Sequence, residues 1–322
     1  MKIHFYPLLI MLAMVFVGCD NSSKPDTGNK TDGDKATVEA AKYDLAVMDK
    51  GKLVLYDLTN KTAVPVEAEK DSVFNMVFTP DRLYYSVKQG EDTYLKYIDV
   101  NDANLQPQLA AAWGVPYNLC VGTASYCQEA PLLEYFPERN VIGMHYMQSP
   151  NYGYSEYRVF DFGDGKSYSA DDWEGDLSGI LYDLDNTDPF EGTFACAEDD
   201  GALYRRLGDD MIFLSDKLEF EVDTDAFDEL PLFHVISVDP TGKFVLFKAA
   251  TTFGDDDEYH GPQCYASIDG KYQKILGEYD EGYPGQWLPD GSLVYGSEGI
   301  HLLAPSGKDV VLCPGRSFVL RP

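Results

Sequence analysis

From residue 43 onward, short runs of Val, Ile, Leu, Tyr and Phe alternate with polar breaks rich in Gly, Asp, Asn and Pro. Runs of this length are typical of β-strands, and the breaks contain the residue types that tight turns favour. Almost no segment has the apolar period of about 3.6 residues that marks an amphipathic helix. The pattern therefore predicts an all-β domain with many antiparallel hairpins.

One strand–turn–strand unit recurs along this domain. An apolar strand leads into a Pro-containing turn and a second apolar strand, because Pro presets φ for the first turn position and Asp or Gly tolerates the next. Four copies are visible: Val77–Ser86, Glu134–Gly143, Ser237–Phe247 and Gln286–Tyr295. The interval between the second and third copies is about twice the usual step, which predicts a weaker copy at Phe194–Tyr204.

Further strands follow most of these units. We expect third strands at Leu95–Asp99, Tyr157–Phe162, Cys264–Asp269 and Ile300–Ala304, and fourth strands at Lys274–Leu276 and Val310–Leu312. The N-terminal unit has three predicted strands, Tyr43–Met48, Leu53–Leu58 and Ala63–Val66. Ser317–Leu320 follows the sixth unit without partners of its own, so we expect it to supply the innermost strand of the first sheet.

These units resemble the TolB-type propeller repeat, whose signature is a Ser-Pro-Asp-Gly turn followed by a strand. The residues Leu288–Ser292 agree with it most fully, and the resemblance covers most of residues 43–322. It implies a six-bladed β-propeller closed by the C-terminal strand, with a seven-bladed ring as the alternative. Closure would remove exposed sheet edges. The resemblance implies no activity, because such propellers serve as scaffolds, binding modules and enzymes.

The first residues have a different pattern. A short basic start precedes the apolar run Leu8–Val17, which in a helix would rise about 15 Å and could not span a membrane alone. That length is typical of a signal peptide. The residues Phe16–Cys19 resemble the bacterial lipobox, which implies cleavage before Cys19 and its lipidation. Ordinary secretion with a chance cysteine at the cleavage point is the alternative.

The segment after Cys19 is polar as far as about residue 42, with no aromatic residue and few large aliphatic ones. This composition is typical of a flexible tether. The expected organisation is therefore a signal peptide at 1–18, a lipidated cysteine and tether at 19–42, and a β-propeller at 43–322. We expect a lipid-anchored protein of the bacterial cell envelope, at the outer membrane, with the periplasmic or surface face left open.

The net charge limits the classes of partner, and the cysteines bear on the cellular compartment. The chain has 25 Lys and Arg against 54 Asp and Glu, a formal net charge of −29, so nucleic acid is excluded as a partner. Six cysteines include Cys19 and leave an odd number behind it. Cys120 and Cys127 enclose a short loop and are the expected disulfide pair in an oxidising compartment. Zinc binding lacks the usual close ligand spacing.

No catalytic residue or cofactor is assigned from the sequence. The acidic run Asp255, Asp256, Asp257 and Glu258 could offer hard oxygen ligands to Ca²⁺, although a solvated loop tip is the alternative. No Gly-x-Ser-x-Gly elbow of a serine hydrolase is present. A glycosidase would need two carboxylates about 5–10 Å apart, and the abundance of acids leaves no particular pair favoured.

Two aromatic-rich stretches are candidate ligand contacts, because Tyr offers rigid amphipathic area at low entropic cost. The residues are Tyr152, Tyr154, Tyr157, Tyr283 and Trp287. Packing between strands is the alternative for each of them. The function that these features favour is non-enzymatic binding of a protein or glycan in the envelope. A carbohydrate-active enzyme with carboxylates in the propeller channel and a structural component of an envelope assembly are the alternatives.

Overall fold

The computed structural model describes residues 43–322 except for positions 91, 103, 117–131, 148–154, 170–171, 176–189, 191, 197–201, 217–231, 254–256, 279–283 and 316. The described residues form 23 strands and no α-helix. The predicted all-β class is therefore confirmed. No helix with the length and apolar character needed to cross a membrane occurs among these residues.

The strands form six antiparallel sheets, which we number in chain order. Sheet 1 contains, in spatial order, β23 (Ser317–Leu320), β1 (Leu45–Asp49), β2 (Lys52–Asp57) and β3 (Thr62–Pro65). Sheet 2 contains β4 (Val73–Phe78), β5 (Arg82–Gln89), β6 (Asp92–Asp99) and β7 (Gln108–Pro116). Sheet 3 contains β8 (Leu132–Phe136), β9 (Val141–Met147), β10 (Ser155–Asp161) and β11 (Lys166–Ser169).

The second half of the chain repeats this arrangement. Sheet 4 contains three described strands, β12 (Phe194–Cys196), β13 (Ala202–Leu207) and β14 (Asp210–Asp216). Sheet 5 contains β15 (Leu232–Val238), β16 (Phe244–Phe253), β17 (Asp257–Ser267) and β18 (Gln273–Glu278). Sheet 6 contains β19 (Gln286–Trp287), β20 (Leu293–Gly296), β21 (Ile300–Leu303) and β22 (Asp309–Cys313).

Each of the five predicted strand–turn–strand units forms the first hairpin of a sheet. The turn chemistry is visible between β15 and β16, where Asp239 is buried. Its Oδ1 accepts hydrogen bonds from the backbone N–H groups of Lys243 and Phe244, each at 2.6 Å. The carboxylate thus satisfies two backbone donors at the sharp turn.

The last strand of the chain lies in the first sheet. β23 pairs with β1, so that Val47 is opposite Phe318 and Leu45 is opposite Leu320. The Gln286 side chain in sheet 6 accepts a 2.9 Å hydrogen bond from the backbone N–H of Leu320. The pairing expected for Ser317–Leu320 is therefore observed, and the strand also contacts the neighbouring sheet.

Alternate residues of β1 face opposite neighbours. Leu45 and Val47 are buried with Val294 and Ile300 of sheet 6, whereas Ala46 is buried in an apolar cluster with residues of sheet 2. Successive side chains of a strand point to opposite faces, which explains the division. Sheet 1 therefore packs between sheet 2 and sheet 6.

The same face-to-face packing continues around the domain. Tyr84 of sheet 2 is buried with Ile142 of sheet 3, and Phe194 of sheet 4 with Phe247 of sheet 5. A further cluster joins sheet 5 to sheet 6 and includes Leu246, Tyr265, Leu293 and Tyr295. Within the described residues the sheets therefore pack in the order 3, 2, 1, 6, 5, 4.

Candidate functional site

A cleft of about 800 Å³ opens where sheets 1, 2 and 6 meet. Four connecting segments line it: the β1–β2 turn, the start of β4, the β20–β21 turn and the β22–β23 connection. Because the last of these segments leads into β23, both ends of the described domain contribute to the cleft. Clefts of this size between packed elements are typical ligand sites.

The β1–β2 turn forms a fixed part of the cleft wall. Asp49 pairs with Lys52, so the turn has two central residues, Lys50 and Gly51, with φ values of 52° and 75°. Positive φ at both positions is typical of a type I′ hairpin turn. The carbonyl of Gly51 accepts a 2.9 Å hydrogen bond from the backbone N–H of Val73. The turn is therefore tied to the first strand of sheet 2.

Among the residues that the structure describes, three charged side chains line this cleft: those of Asp49, Lys50 and Glu298. Asp49 is half-buried, whereas Lys50 and Glu298 are exposed. Within the part of the chain that the structure describes, none of the three side chains forms a hydrogen bond or an ion pair. Their charges are thus available to a ligand in the cleft.

The rest of the lining is mostly apolar. Met48, Phe74 and Pro314 contribute hydrocarbon surface, whereas Val73 is fully buried and contributes almost none. An apolar bed with a few charged groups at its edge favours ligands that combine hydrophobic and charged parts. The cleft therefore has the chemical character that such a ligand requires.

A free thiol lies beside the cleft. Cys313 is half-buried in the last strand of sheet 6. Burial raises the pKa of its thiol to about 11, and the nearby Asp49 carboxylate contributes to the rise. A thiol with so high a pKa is almost entirely protonated at neutral pH and is a poor nucleophile. The pKa of the Cys313 thiol therefore depends on the charge of Asp49, but the thiol is not activated as a nucleophile.

A second group of polar side chains joins sheet 5 to sheet 6. The Asp309 carboxylate accepts hydrogen bonds from Lys274 Nζ and from Tyr295 OH, the latter at 2.6 Å. His301 Nδ1 lies 3.1 Å from Asp309 Oδ1, and its ring stacks on Tyr295 at 4.8 Å between centroids. Burial alone would raise the pKa of Asp309, but these hydrogen bonds outweigh it and hold that pKa below its usual value.

A third group fixes the connection between sheets 1 and 2. Lys96 Nζ donates to Glu69 Oε1 at 3.0 Å and to Asp71 Oδ2 at 2.6 Å, and Tyr85 OH donates to Glu69 Oε2 at 2.7 Å. The Glu69 side chain is only 3% exposed. In both this group and the Asp309 group each carboxylate already has a lysine partner, so these groups hold segments together.

The candidate contact residues fall in different places. Trp287 lies in β19, where its indole Nε1 donates a 2.8 Å hydrogen bond to Ser237 Oγ of sheet 5. It therefore packs between two sheets, and its contact with a ligand stays a prediction. Tyr157 lies in β10, opposite His145. Tyr152, Tyr154 and Tyr283 lie outside the described residues.

The remaining predicted site residues are only partly within the described structure. Asp257 and Glu258 begin β17, where they pair with Phe253 and Thr252, so half of the acidic run belongs to a strand. Asp255 and Asp256 lie outside the described residues, as do Cys19, Cys120 and Cys127. No cluster of three metal-ligating side chains occurs among the residues that the structure describes, and Ca²⁺ binding stays a prediction.

The cleft residues were not predicted from the sequence. The sequence Asp49–Lys52 reads as an ordinary polar turn, and Glu298 is one of 54 acids. They belong to sheets formed from opposite ends of the domain, and the packing of sheet 1 on sheet 6 brings them together. A Lys at a left-handed turn position, where Asn or Gly is usual, was the one available signal.

No protein-family model matches the chain, and no curated protein sequence matches it. Solved structures do resemble it. TolB from Acinetobacter baumannii has 10% sequence identity and a TM-score of 0.41, over 84% of this chain and 63% of that chain. A putative TolB from Agrobacterium tumefaciens has 10% identity and a TM-score of 0.33, over 84% and 89% of the two chains.

The isopeptidase AtxE2 has 10% identity and a TM-score of 0.44, over 82% of this chain and 46% of that chain. The chain thus spans less than two thirds of the Acinetobacter baumannii TolB and less than half of the isopeptidase. These likenesses concern the fold alone. TolB proteins are among the solved structures that this chain resembles, as its turn repeats indicated.

Proposed function

We propose that this protein is a lipid-anchored, six-bladed propeller of the bacterial envelope that binds a protein partner, without catalysis, in the cleft between sheets 1, 2 and 6. The observation that carries the proposal is the cleft itself. It combines an apolar bed, including Phe74 and Pro314, with three charged side chains that have no partner within the described residues.

The packing order of the sheets supports a closed ring of six blades. Sheets 3, 2, 1, 6, 5 and 4 share consecutive apolar clusters, so contact between sheets 3 and 4 would complete the ring. The seven-bladed alternative needs a further sheet between them. Closure would leave the cleft on a rigid support, which lowers the entropic cost of binding.

A protein partner fits the cleft better than a neutral glycan does. A glycan presents hydroxyl groups, which would leave the charges of Asp49, Lys50 and Glu298 without opposite charges. A polypeptide offers both apolar and charged side chains, as the lining does. We therefore assign the partner to the protein class, with a glycan as an outcome that the experiments can reveal.

Anchoring through Cys19 rests on the sequence. The segment 20–42 has the composition of a tether. Metabolic labelling with palmitate should mark the wild-type protein and not Cys19→Ser. Labelling of both proteins, or of neither, would contradict the anchor.

Site-specific photo-crosslinking tests binding in the cleft. A photoreactive amino acid at Ser72, which is exposed and lines the cleft, should yield a crosslinked protein of defined mass in intact cells. Ser306 is a matched control, because it is also an exposed serine but lies in the β21–β22 turn, at the other end of β21 from Glu298. Equal products at both positions, or none at Ser72, would contradict the proposal.

The absence of catalysis is tested separately. Envelope polysaccharides incubated with the purified full-length protein should release no reducing ends. Release that depends on the protein would overturn the non-enzymatic assignment and favour the carbohydrate-active enzyme instead.

A further inference from the structure

We propose that the cleft selects a basic segment of its partner, with an ammonium or guanidinium group received by Asp49 and Glu298 and a neighbouring apolar side chain on Phe74 and Pro314. This inference rests on the proposed function and specifies the chemistry of the partner. It does not follow from the fold, because propellers bind ligands of every charge.

The first support is the electrostatic state of Asp49. It is half-buried and loses part of its hydration, a cost that proteins usually offset with a cation or several N–H donors. Other carboxylates of this chain have such partners. Glu69 pairs with Lys96, Asp309 pairs with Lys274, and Asp239 accepts hydrogen bonds from backbone N–H groups. Among the described residues Asp49 has no such partner, so a cationic ligand would supply the positive charge that the carboxylate lacks.

The position of Asp49 gives the second support. Its carboxylate lies close enough to Cys313 to raise the pKa of the thiol, and it also lines the cleft. The Asp49 side chain is therefore half-buried in the cleft wall and not fully in water. An attraction between Asp49 and a cation there would be screened less than one at an open surface.

The balance of charges gives the third support. Among the described residues of the lining, Asp49 and Glu298 outnumber Lys50, and the whole chain carries a net charge of −29. A field of this sign attracts basic ligands and accelerates their association at low salt. The positive charge of Lys50 opposes this attraction. Because the Lys50 side chain is exposed, solvent and salt weaken its effect.

The apolar bed sets the remaining requirement. A basic group alone would leave the surface of Met48, Phe74 and Pro314 in water, whereas a basic residue next to a large aliphatic one would cover it. The ligand class is therefore a segment with alternating basic and apolar residues, whose extended form presents the two kinds of side chain to opposite sides.

Three labelled hexapeptides serve as probes for the full-length protein in detergent. They repeat Lys-Leu, Glu-Leu or Ser-Leu three times, so that their length and apolar content are matched and only the charge differs. Fluorescence anisotropy at low and physiological salt gives each dissociation constant. The Lys-Leu peptide should bind most tightly, and its advantage over the Ser-Leu peptide should shrink as salt is added.

Variants assign the effect to the cleft. Asp49→Asn should weaken binding of the Lys-Leu peptide about tenfold or more, as expected for a partly buried charge-assisted hydrogen bond. Glu298→Gln should weaken it about threefold, because this residue is exposed. Lys50→Met should strengthen it. Glu138→Gln changes the net charge equally at an exposed turn of sheet 3 and should have no effect.

Equal binding of the three peptides would overturn the inference, and so would equal effects of Glu138→Gln and Asp49→Asn. The melting temperature of each variant confirms that it is folded. A crosslink at Ser72 together with charge-independent peptide binding would retain the proposed function and remove the basic selectivity. Absence of any cleft-specific crosslink would remove the proposed function itself.

Discussion

Phe318, in the last strand, is paired with Val47, in the first. Both side chains are fully buried, and both belong to the apolar cluster between sheets 1 and 6. The chain termini of the domain are therefore joined by backbone hydrogen bonds and by hydrophobic packing at once. Arg321 adds to this junction, because its backbone N–H donates to Asp44 O at 2.8 Å and its guanidinium donates to Pro80 O.

Phe318→Ala should reduce the free energy of unfolding by about 3–5 kcal/mol, since it removes a large buried side chain and leaves a cavity. Urea denaturation followed by fluorescence measures the change. Val311→Ala is the control, because Val311 is 60% exposed in the adjacent sheet and its truncation should cost no more than about 0.5 kcal/mol.

Deletion of residues 317–322 extends the same prediction to the whole strand. It removes the β23–β1 pairing and exposes the edge of β1, so the melting temperature should fall sharply. An unchanged melting temperature would contradict both the role of this strand and the closed ring proposed above.

The hairpins could be predicted because their chemistry is local. The turn at Pro240 and Asp239 and the apolar runs beside it lie within a dozen residues, and period and turn type were enough to place β15 and β16. The outer strand β7 was not predicted, since the run Gln108–Pro116 contains three alanines and a glycine, which have low strand propensity. Its pairing with β6 decides its conformation.

The site could not be predicted in the same way. Asp49 and Glu298 are about 250 positions apart, and nothing in either local sequence distinguishes them from the other acids. The aromatic residue Trp287 was easier to notice but lies between two sheets. Residue type alone does not indicate whether a side chain faces a neighbouring sheet or a cleft, because that depends on long-range register.

Asp309 should make stability depend on pH. Its pKa is below the usual value, so its hydrogen bonds contribute stability fully above about pH 5, and that contribution is lost as the pH falls through the folded-state pKa. Asp309→Asn should therefore lower the free energy of unfolding by about 1–3 kcal/mol at pH 7. Urea melts from pH 7 to pH 2 should show the two proteins converging in acid.

The control for this prediction is Asp209→Asn, an exposed acid in the β13–β14 turn. It should leave the unfolding curve unchanged across the same pH range. A constant difference between wild type and Asp309→Asn at every pH would mean that the carboxylate contributes through its shape and not through its charge.

Gly270 should tolerate no side chain. Its φ is +72°, and a Cβ atom there would lie 2.3 Å from the carbonyl oxygen of Phe213, in β14 of the next sheet. Gly90 has nearly the same φ, +66°, with nothing within 4 Å. Substitution by Ala should cost about 1–2 kcal/mol at Gly90 for the left-handed backbone, and clearly more at Gly270, as chemical denaturation would show. Equal costs would mean that sheets 4 and 5 do not approach each other as closely as the structure shows.

Cys313 offers a chemical probe of the cleft. With a pKa of about 11, about one thiol in a thousand is ionised at pH 8, so iodoacetamide should react slowly. Asp49→Asn removes the adjacent negative charge and should lower that pKa and speed alkylation, whereas Glu138→Gln should not. Peptide mass spectrometry measures the rate at Cys313. Cys264, whose pKa burial also raises, should stay unreactive in all three proteins and so verify that each is folded.

A basic peptide bound beside Asp49 should screen the same carboxylate, so the rate at Cys313 should then respond to the ligand in wild type and not in Asp49→Asn.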